Sequence, residues 1–404
     1  MAWTIALAGI PIGAVTSQSL LDFFLIVLGI LWLKDIVQLK LYKTNWGFHR
    51  IGIEWAILGY FLVVLFGVLF NSSKDHEAIR EITKFTWVLH LYILIYAFKK
   101  IDFNISKWVP YFSVGFFLQS LYAIIGYFHG SDFITGRYSD RVLGLLNSST
   151  YHAHAFAVIF IFFLASLFFK WNTLSRFLRF FSILSILTVF VGIYLTYTRG
   201  IWFSIAASTL FMLGLYNRKL ALRFFTGGVL AIIFAFFVFE KFHDRILHSF
   251  SLKENSERVS IYKANLDMFI NHPIFGVGPS ENTKIIADYW EKWGTPDFIL
   301  SHAHNQFLNV LSTVGILGFI FFIWFWYYFL SANWNSLIKY KISGSLDLKN
   351  KKTFILFTCL WAQVEFYLAC LTDVSFEYAK IRILIIFVWA MMISILNRDF
   401  KNEI

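Results

Sequence analysis

The stretch SHAHNQFLNVLSTVGILGF, Ser301 to Phe319, marks the point where polar sequence becomes a long apolar run. That run, 305–330, exceeds the ~20 residues an α-helix needs to cross a bilayer, and it begins beside an imidazole, His304. An ionisable group is thus expected at the mouth of a membrane helix. Eleven other apolar runs fall near 2–15, 20–36, 51–70, 85–98, 108–128, 152–169, 178–197, 201–216, 221–239, 353–371 and 381–396. With 58% hydrophobic and only 15% charged residues, the 404-residue chain has too little polar surface to coat a soluble body. The runs show no period of two and mostly approach helical spanning length, which argues against a barrel of alternating ~10-residue strands. The expected fold is an all-α polytopic membrane protein of about 12 transmembrane helices. The first run is short and carries Gly9, Pro11 and Gly13, so eleven spans plus a re-entrant segment is the alternative. No basic region precedes it and no small-residue cleavage site follows, so it does not read as a removable signal peptide.

Charge sets the expected orientation. With the amino terminus in the cytoplasm, 20 of the 35 Lys and Arg fall on inner segments, against 8 on short outer ones and seven in one long outer loop where the bias carries little weight. Both termini are therefore expected in the cytoplasm. The net charge of +11 is then mostly this inner bias, and no nucleic-acid motif accompanies it. Cys359 and Cys370 stand eleven positions apart on one predicted helix, about 16 Å along its axis and too far for a disulfide.

The chain shows no internal repeat or low-complexity tract and reads as a single membrane domain, 1–404. Its one long loop, 240–304, is expected on the outer, periplasmic face. Within it Ser256 is a candidate N-cap, and Val259, Tyr262, Leu266, Phe269 and Ile270 recur at helical spacing. The segment Asn271–Pro279 breaks that helix, and 280–293, with Ile285, Ile286, Tyr289, Trp290 and Trp293, has the composition of a helix lying at a membrane interface.

Few residues can carry chemistry. His304 is placed at the start of the tenth span, where exposed N–H groups and the helix dipole favour a neutral imidazole able to accept a proton. Gly315 and Gly318 on the same span suit close helix packing. Arg199, in Tyr197-Thr198-Arg199-Gly200, occupies a short outer turn; its planar fork suits phosphate oxygens, and snorkelling to lipid headgroups is the alternative. Arg258 opens the amphipathic loop helix, with Glu254 and Glu257 as alternative ion-pair partners. Arg137 and Arg141 lie in a second outer loop, 136–154. Tyr197, His302 and Asn305 flank these groups as further substrate contacts. The pairs His152-Ala153-His154 and His302-Ala303-His304 invite a metal reading, but an i,i+2 pair on a helix diverges and no carboxylate cluster accompanies them in sequence, so no metal site is expected.

The pattern His304-Asn305, then Gly315 and Gly318, resembles the motif of bacterial O-antigen ligases, in the superfamily that also holds O-antigen polymerases. The Thr198-Arg199-Gly200 turn resembles an essential arginine of that family. Arg258 ahead of Pro273, Gly276 and Gly278 resembles its loop arginine and Pro-x-x-Gly-x-Gly segment, and Arg141 with Gly144 and Asn147 resembles an Arg-x-x-Gly and Asn pattern of related enzymes. The resemblance spans the hydropathy layout, with specific motifs on about a tenth of the chain. It implies a GT-C-type glycosyltransferase in the bacterial inner membrane that moves a glycan from undecaprenyl diphosphate to a lipid A–core sugar, inverting the anomeric centre without metal or cofactor. His304 would be the general base, and Arg199 and Arg258 would bind the diphosphate. An O-antigen polymerase is the nearest alternative and a protein O-oligosaccharyltransferase the next. A non-catalytic transporter of lipid-linked sugar is the alternative from another class; it would call for polar groups at mid-membrane, of which Glu365 is one.

Overall fold

A computed structural model describes the chain except residues 44–46, 49, 71–75, 102–104, 132, 134–135, 147, 241–242, 245–246, 248–251, 294–301, 343–345 and 400–404, and except the side chains of 78, 105–111, 113, 173, 252–257, 290–293 and 398–399. The side chains of Glu254 and Glu257, Asn147 and the rings of Trp290 and Trp293 fall outside the described residues. The loop helix starts at Leu252, so Ser256 lies within it and is not its N-cap, and Arg258 does not open it. The helices are α1 (Ala2–Thr16), α2 (Gln18–Gln38), α3 (Glu54–Phe70), α4 (His76–Thr83), α5 (Thr86–Lys100), α6 (Ile105–His129), α7 (Ser149–Lys170), α8 (Arg176–Tyr194), α9 (Arg199–Tyr216), α10 (Arg218–Val238), α11 (Leu252–Asn271), α12 (Asn282–Trp293), α13 (Gln306–Ile342), α14 (Lys351–Ala369) and α15 (Ala379–Asp399).

Each of the twelve apolar runs falls on one of these helices, and α4, α11 and α12 are the more polar additions. Among the described residues, six helices are long and apolar enough to cross a membrane: α7, α8, α9, α10, α13 and α15. Local chemistry sets their starts. Ser17, Ser148, Ser175, Asn217 and Asn350 each accept a hydrogen bond from a first-turn amide of the helix that follows, which satisfies donors a helix leaves open. The interior is built on α7, α14 and α15: 78% of the apolar window is buried in α7 and again in α15, whereas α10 has no buried residue and packs against α9. An apolar helix with nothing buried is one that faces lipid. Trp389 of α15 stacks flat on Phe329 of α13 at 4.2 Å between ring centroids, tying α13 to this centre.

The tenth apolar run is not one continuous helix. Gly315 has φ 64° and ψ −168°, a region open essentially to glycine alone, and α13 breaks there. The broken hydrogen bonds are taken over by the loop. Val277 and Gly278 donate to the carbonyls of Ser312 and Thr313 at 2.9 and 3.0 Å, while Ile316 and Leu317 donate to those of Pro273 and Ile274 at 2.9 and 3.4 Å. A Cβ on Gly315 would overlap the Ile274 carbonyl, and one on Gly276, at φ 68°, would overlap Thr313 backbone. Gly315 is therefore the site of backbone exchange rather than a packing glycine. Gly318 does serve packing, against Val314 and Val63.

Two expectations for the loop change. On α11 the packed face is Ile261, Ala264, Asn265 and Met268, all fully buried, whereas Val259, Leu266 and Ile270 are exposed; the loop helix keeps an apolar face turned outward. A buried polar chain fixes α11 and α12 to α13: Asn282 donates to Asn265 at 3.0 Å and to Asn309 at 2.9 Å, and Ser312 donates to Asn265 at 2.9 Å.

Gly315→Ala is expected to lower the thermal stability of the purified protein far more than Gly318→Ala. The first demands a Gly-only backbone, worth ~1–3 kcal/mol, and strikes a carbonyl. The second meets only side chains that can shift. Equal melting temperatures for the two variants would rule out the inserted-loop description.

Candidate active site

The start of α13 and the link between α14 and α15 are stitched together. Asn305 is the N-cap of α13, accepting from the amides of Phe307 and Leu308 at 3.0 Å each, and its own amide donates to the Leu371 carbonyl at 3.1 Å. The Gln306 amide nitrogen donates to the Cys370 carbonyl at 2.9 Å, while its side chain accepts from Phe376 N at 3.0 Å and donates to Glu377 at 3.2 Å. His304 accordingly does not open the helix. It sits one residue before the cap with φ 47°, and His302 precedes it outside any helix, so the two rings converge, 4.4 Å apart.

What they converge on is Asp373, which is 4% exposed. Its Oδ1 lies 3.2 Å from His302 Nε2 and 3.7 Å from His304 Nδ1, and its Oδ2 lies 3.6 Å from His154 Nε2. His154 is held in turn by Ser375, 2.6 Å from its Nδ1, and His302 by the Tyr378 hydroxyl at 3.4 Å. Burial alone would raise the Asp373 pKa, but the hydrogen bonds of His302 and His304 and the charge of His154 outweigh it and hold the carboxyl far below the usual carboxylate range. A carboxyl depressed on folding contributes at every pH above its ordinary value of about 3.9 and loses that contribution only in acid. The neighbour that governs His304 is thus an anion supplied from 69 positions along the chain, which the sequence pattern did not reveal.

The divergence rule for His-x-His holds for one pair and fails for the other. On α7, His152 stacks on Phe156 at 4.2 Å while His154 turns to Asp373. In the non-helical pair His302 and His304 meet a carboxylate, and the ligand atoms of His302, His304 and Asp373 lie within 4.8 Å of one another. That is a set of donors able to hold a metal ion, contrary to the expectation that no carboxylate accompanies the pair.

Arg199 and Arg258 stand on two different helices, α9 and α11. Arg199 is the first residue of α9, and a Cβ on Gly200 would overlap the Thr372 hydroxyl; the glycine of Thr198-Arg199-Gly200 lets α9 press against the residue next to Asp373. Arg258 is exposed on α11, one turn before Tyr262, whose hydroxyl donates to the His304 carbonyl at 3.3 Å. Burial raises the Tyr262 phenol, with the Arg258 charge pulling it down. Arg137 and Arg141 do not join the histidines. They line a separate small cleft with Tyr122, Tyr127 and Ser139, docked onto the Tyr197 turn by Val142 N donating to Leu195 O at 3.1 Å and by the Tyr127 and Tyr197 hydroxyls at 3.1 Å.

Sequence reasoning missed Asp373 and Gln306, and also Glu377, Glu81 and Lys84. The available signal was a nine-residue connection, 370–378, bearing two acids, Asp373 and Glu377, in a chain with 24 acidic residues overall.

Fold and site together define an all-helical protein with helices able to cross a membrane and a histidine–carboxylate cluster at the helix ends. Residues 183–323 match the family model described as O-antigen ligase. The matched segment contains Arg199, Arg258, His302, His304 and the Gly315 break, while Asp373 comes from outside it. No curated protein matches the chain.

Asp373→Asn is expected to lower turnover by one to two orders of magnitude, part of the ~10²–10⁴-fold a positioned base supplies, with protein abundance retained because the amide has the same shape. Unchanged turnover in a purified assay would remove Asp373 from the site.

Proposed function

We propose that this protein is an O-antigen ligase, a GT-C-type glycosyltransferase of about twelve spans in the bacterial inner membrane, with both termini cytoplasmic and the 240–304 loop and active site periplasmic. It transfers a glycan en bloc from undecaprenyl diphosphate to a lipid A–core sugar. The reading is supported by a histidine–carboxylate cluster whose Asp373 adjoins Thr372, the residue that Gly200 of the Arg199 turn packs against, and whose His304 carbonyl accepts from Tyr262, one turn after Arg258. Such an arrangement suits a hydroxyl nucleophile beside a doubly phosphorylated leaving group.

The carboxylate beside His304 Nδ1 favours the proton on that nitrogen, which leaves the Nε2 lone pair to accept one. The acceptor hydroxyl oxygen then attacks the anomeric carbon, its proton passes to His304 Nε2, and the bond from that carbon to the diphosphate oxygen breaks. The charge left on undecaprenyl diphosphate is met by Arg199 and Arg258, whose fixed forks stabilise it as it develops. A single displacement of this kind inverts the anomeric centre and needs no metal.

His304→Ala is expected to abolish transfer in a reconstituted assay with lipid-linked donor and lipid A–core acceptor, while abundance and membrane insertion stay normal. Near wild-type ligation would remove the base. Arg199→Lys is expected to lose most of the activity despite keeping the charge, since an ammonium cannot reproduce a bidentate fork; full activity of the lysine variant would reduce the clamp to long-range attraction.

Turnover is expected to survive prolonged EDTA. Loss of turnover restored by magnesium or manganese would instead assign His302, His304 and Asp373 to a catalytic metal.

A further inference from the structure

His302 also borders a polar cleft of about 170 Å³ between α3, the start of α12, α13 and the α14–α15 link. At about 30 Å³ per water, that is the bulk of five or six waters, roughly one sugar ring. The groups around it are mixed in hydrogen-bonding sense. Lys84 Nζ lies between two carboxylates, donating to Glu81 at 2.5 Å and Glu377 at 2.7 Å, and with the Arg382 charge also acting on both carboxylates the cluster leaves no uncompensated cation for an anionic ligand. Arg382 stands behind, donating to the main-chain carbonyls of Phe376 and Glu377. Asn282 and Asn309, 2% and 8% exposed, bond to each other through Asn282 Nδ2 and Asn309 Oδ1. That leaves Asn282 Oδ1 as an acceptor and Asn309 Nδ2 as a donor, with no partner for either among the described residues. Tyr60, Thr283 and Tyr378 add hydroxyls to the lining.

A phosphate or carboxylate entering this cleft meets Glu81 and Glu377. A neutral polyol finds an acceptor or a donor for each hydroxyl. The cleft differs from Arg199 and Arg258 in offering no uncompensated cation, and that difference separates two ligands.

We infer that the cleft is the acceptor subsite: it takes one neutral, unphosphorylated sugar ring by its hydroxyls and presents the reacting hydroxyl past His302 to His304, while the diphosphate is held on the arginine side. The inference rests on the transferase reading and adds the acceptor's chemical class and its place.

The test is equilibrium binding to the full chain in nanodiscs, using a deacylated core oligosaccharide that ends either in a neutral ring or in a uronic acid. The neutral form is expected to bind about tenfold more tightly than the anionic one, the equivalent of 1.4 kcal/mol. Thr283→Trp, which fills the cleft from its rim, should weaken the neutral form by about tenfold or more and leave binding of undecaprenyl diphosphate near the wild-type value. Glu81→Gln keeps the size of the lining if the tryptophan variant fails to fold, and it should erase the discrimination against the uronic acid. Normal transfer, with both variants binding the neutral oligosaccharide like the wild type, overturns the cleft assignment and leaves the transferase reading standing. Loss of oligosaccharide binding in Arg199→Ala rather than in the cleft variants overturns it too. Absence of any transfer by the wild-type protein overturns the transferase reading and the acceptor assignment with it.

Discussion

An apolar medium offers no partner for an unpaired backbone amide, and each one left open costs several kcal/mol. The break at Gly315 opens such groups on both sides, and residues 273–278 close them with four backbone hydrogen bonds. Much of the site follows from that exchange. Because the loop's backbone is spliced into α13, the helices on either side of it, α11 and α12, are fixed against the same helix whose first turn follows His304. Tyr262 then reaches the His304 carbonyl with Arg258 one turn away. Ser280 reaches Glu81 at 2.5 Å, and Pro279 packs where Gly67 of α3 leaves room. A loop of this length would otherwise have many conformations to lose; here glycine and proline positions make one of them the only way to satisfy α13.

The second constraint is the clasp between 302–306 and 370–377. Gln306 is fully buried and uses both ends of its amide on that link, and Asn305 uses one end on the helix and the other on Leu371. Together they set the height of Asp373 relative to the imidazoles. A carboxylate shared among three histidines is costly to bury unless each oxygen is engaged, and both Asp373 oxygens face imidazole nitrogens.

The helical layout was legible because hydropathy is a property of runs: all twelve apolar stretches fall on helices. His304, Arg199 and Arg258 stand out in the sequence only through short motifs, and Gly200 against Thr372 gives one of those motifs a packing reason. What was hidden is non-local or backbone-borne. Gly315 in a hydrophobic run reads as packing, since nothing in the run reports φ; only its distant partner at 273–278 explains it. The helix α13 begins at Gln306, after His304, because Asn305 is consumed as its cap. Asp373 sits in a short connection whose sequence has no periodicity, and its partners lie 69, 71 and 219 positions away. The loop helix α11 shows the same limit: its outward face is as apolar as its packed one, so spacing alone could not choose between them.

The most direct test of a single displacement on His304 is the anomeric configuration of the product. Purified protein, a lipid-linked donor of known anomeric configuration and lipid A–core acceptor would be incubated, and the new glycosidic linkage assigned by NMR from its anomeric proton coupling. Inversion relative to the donor is the predicted result. Retention would contradict the account, because it requires a covalent glycosyl–enzyme intermediate and therefore a nucleophile at the place where His304 is assigned only to take a proton.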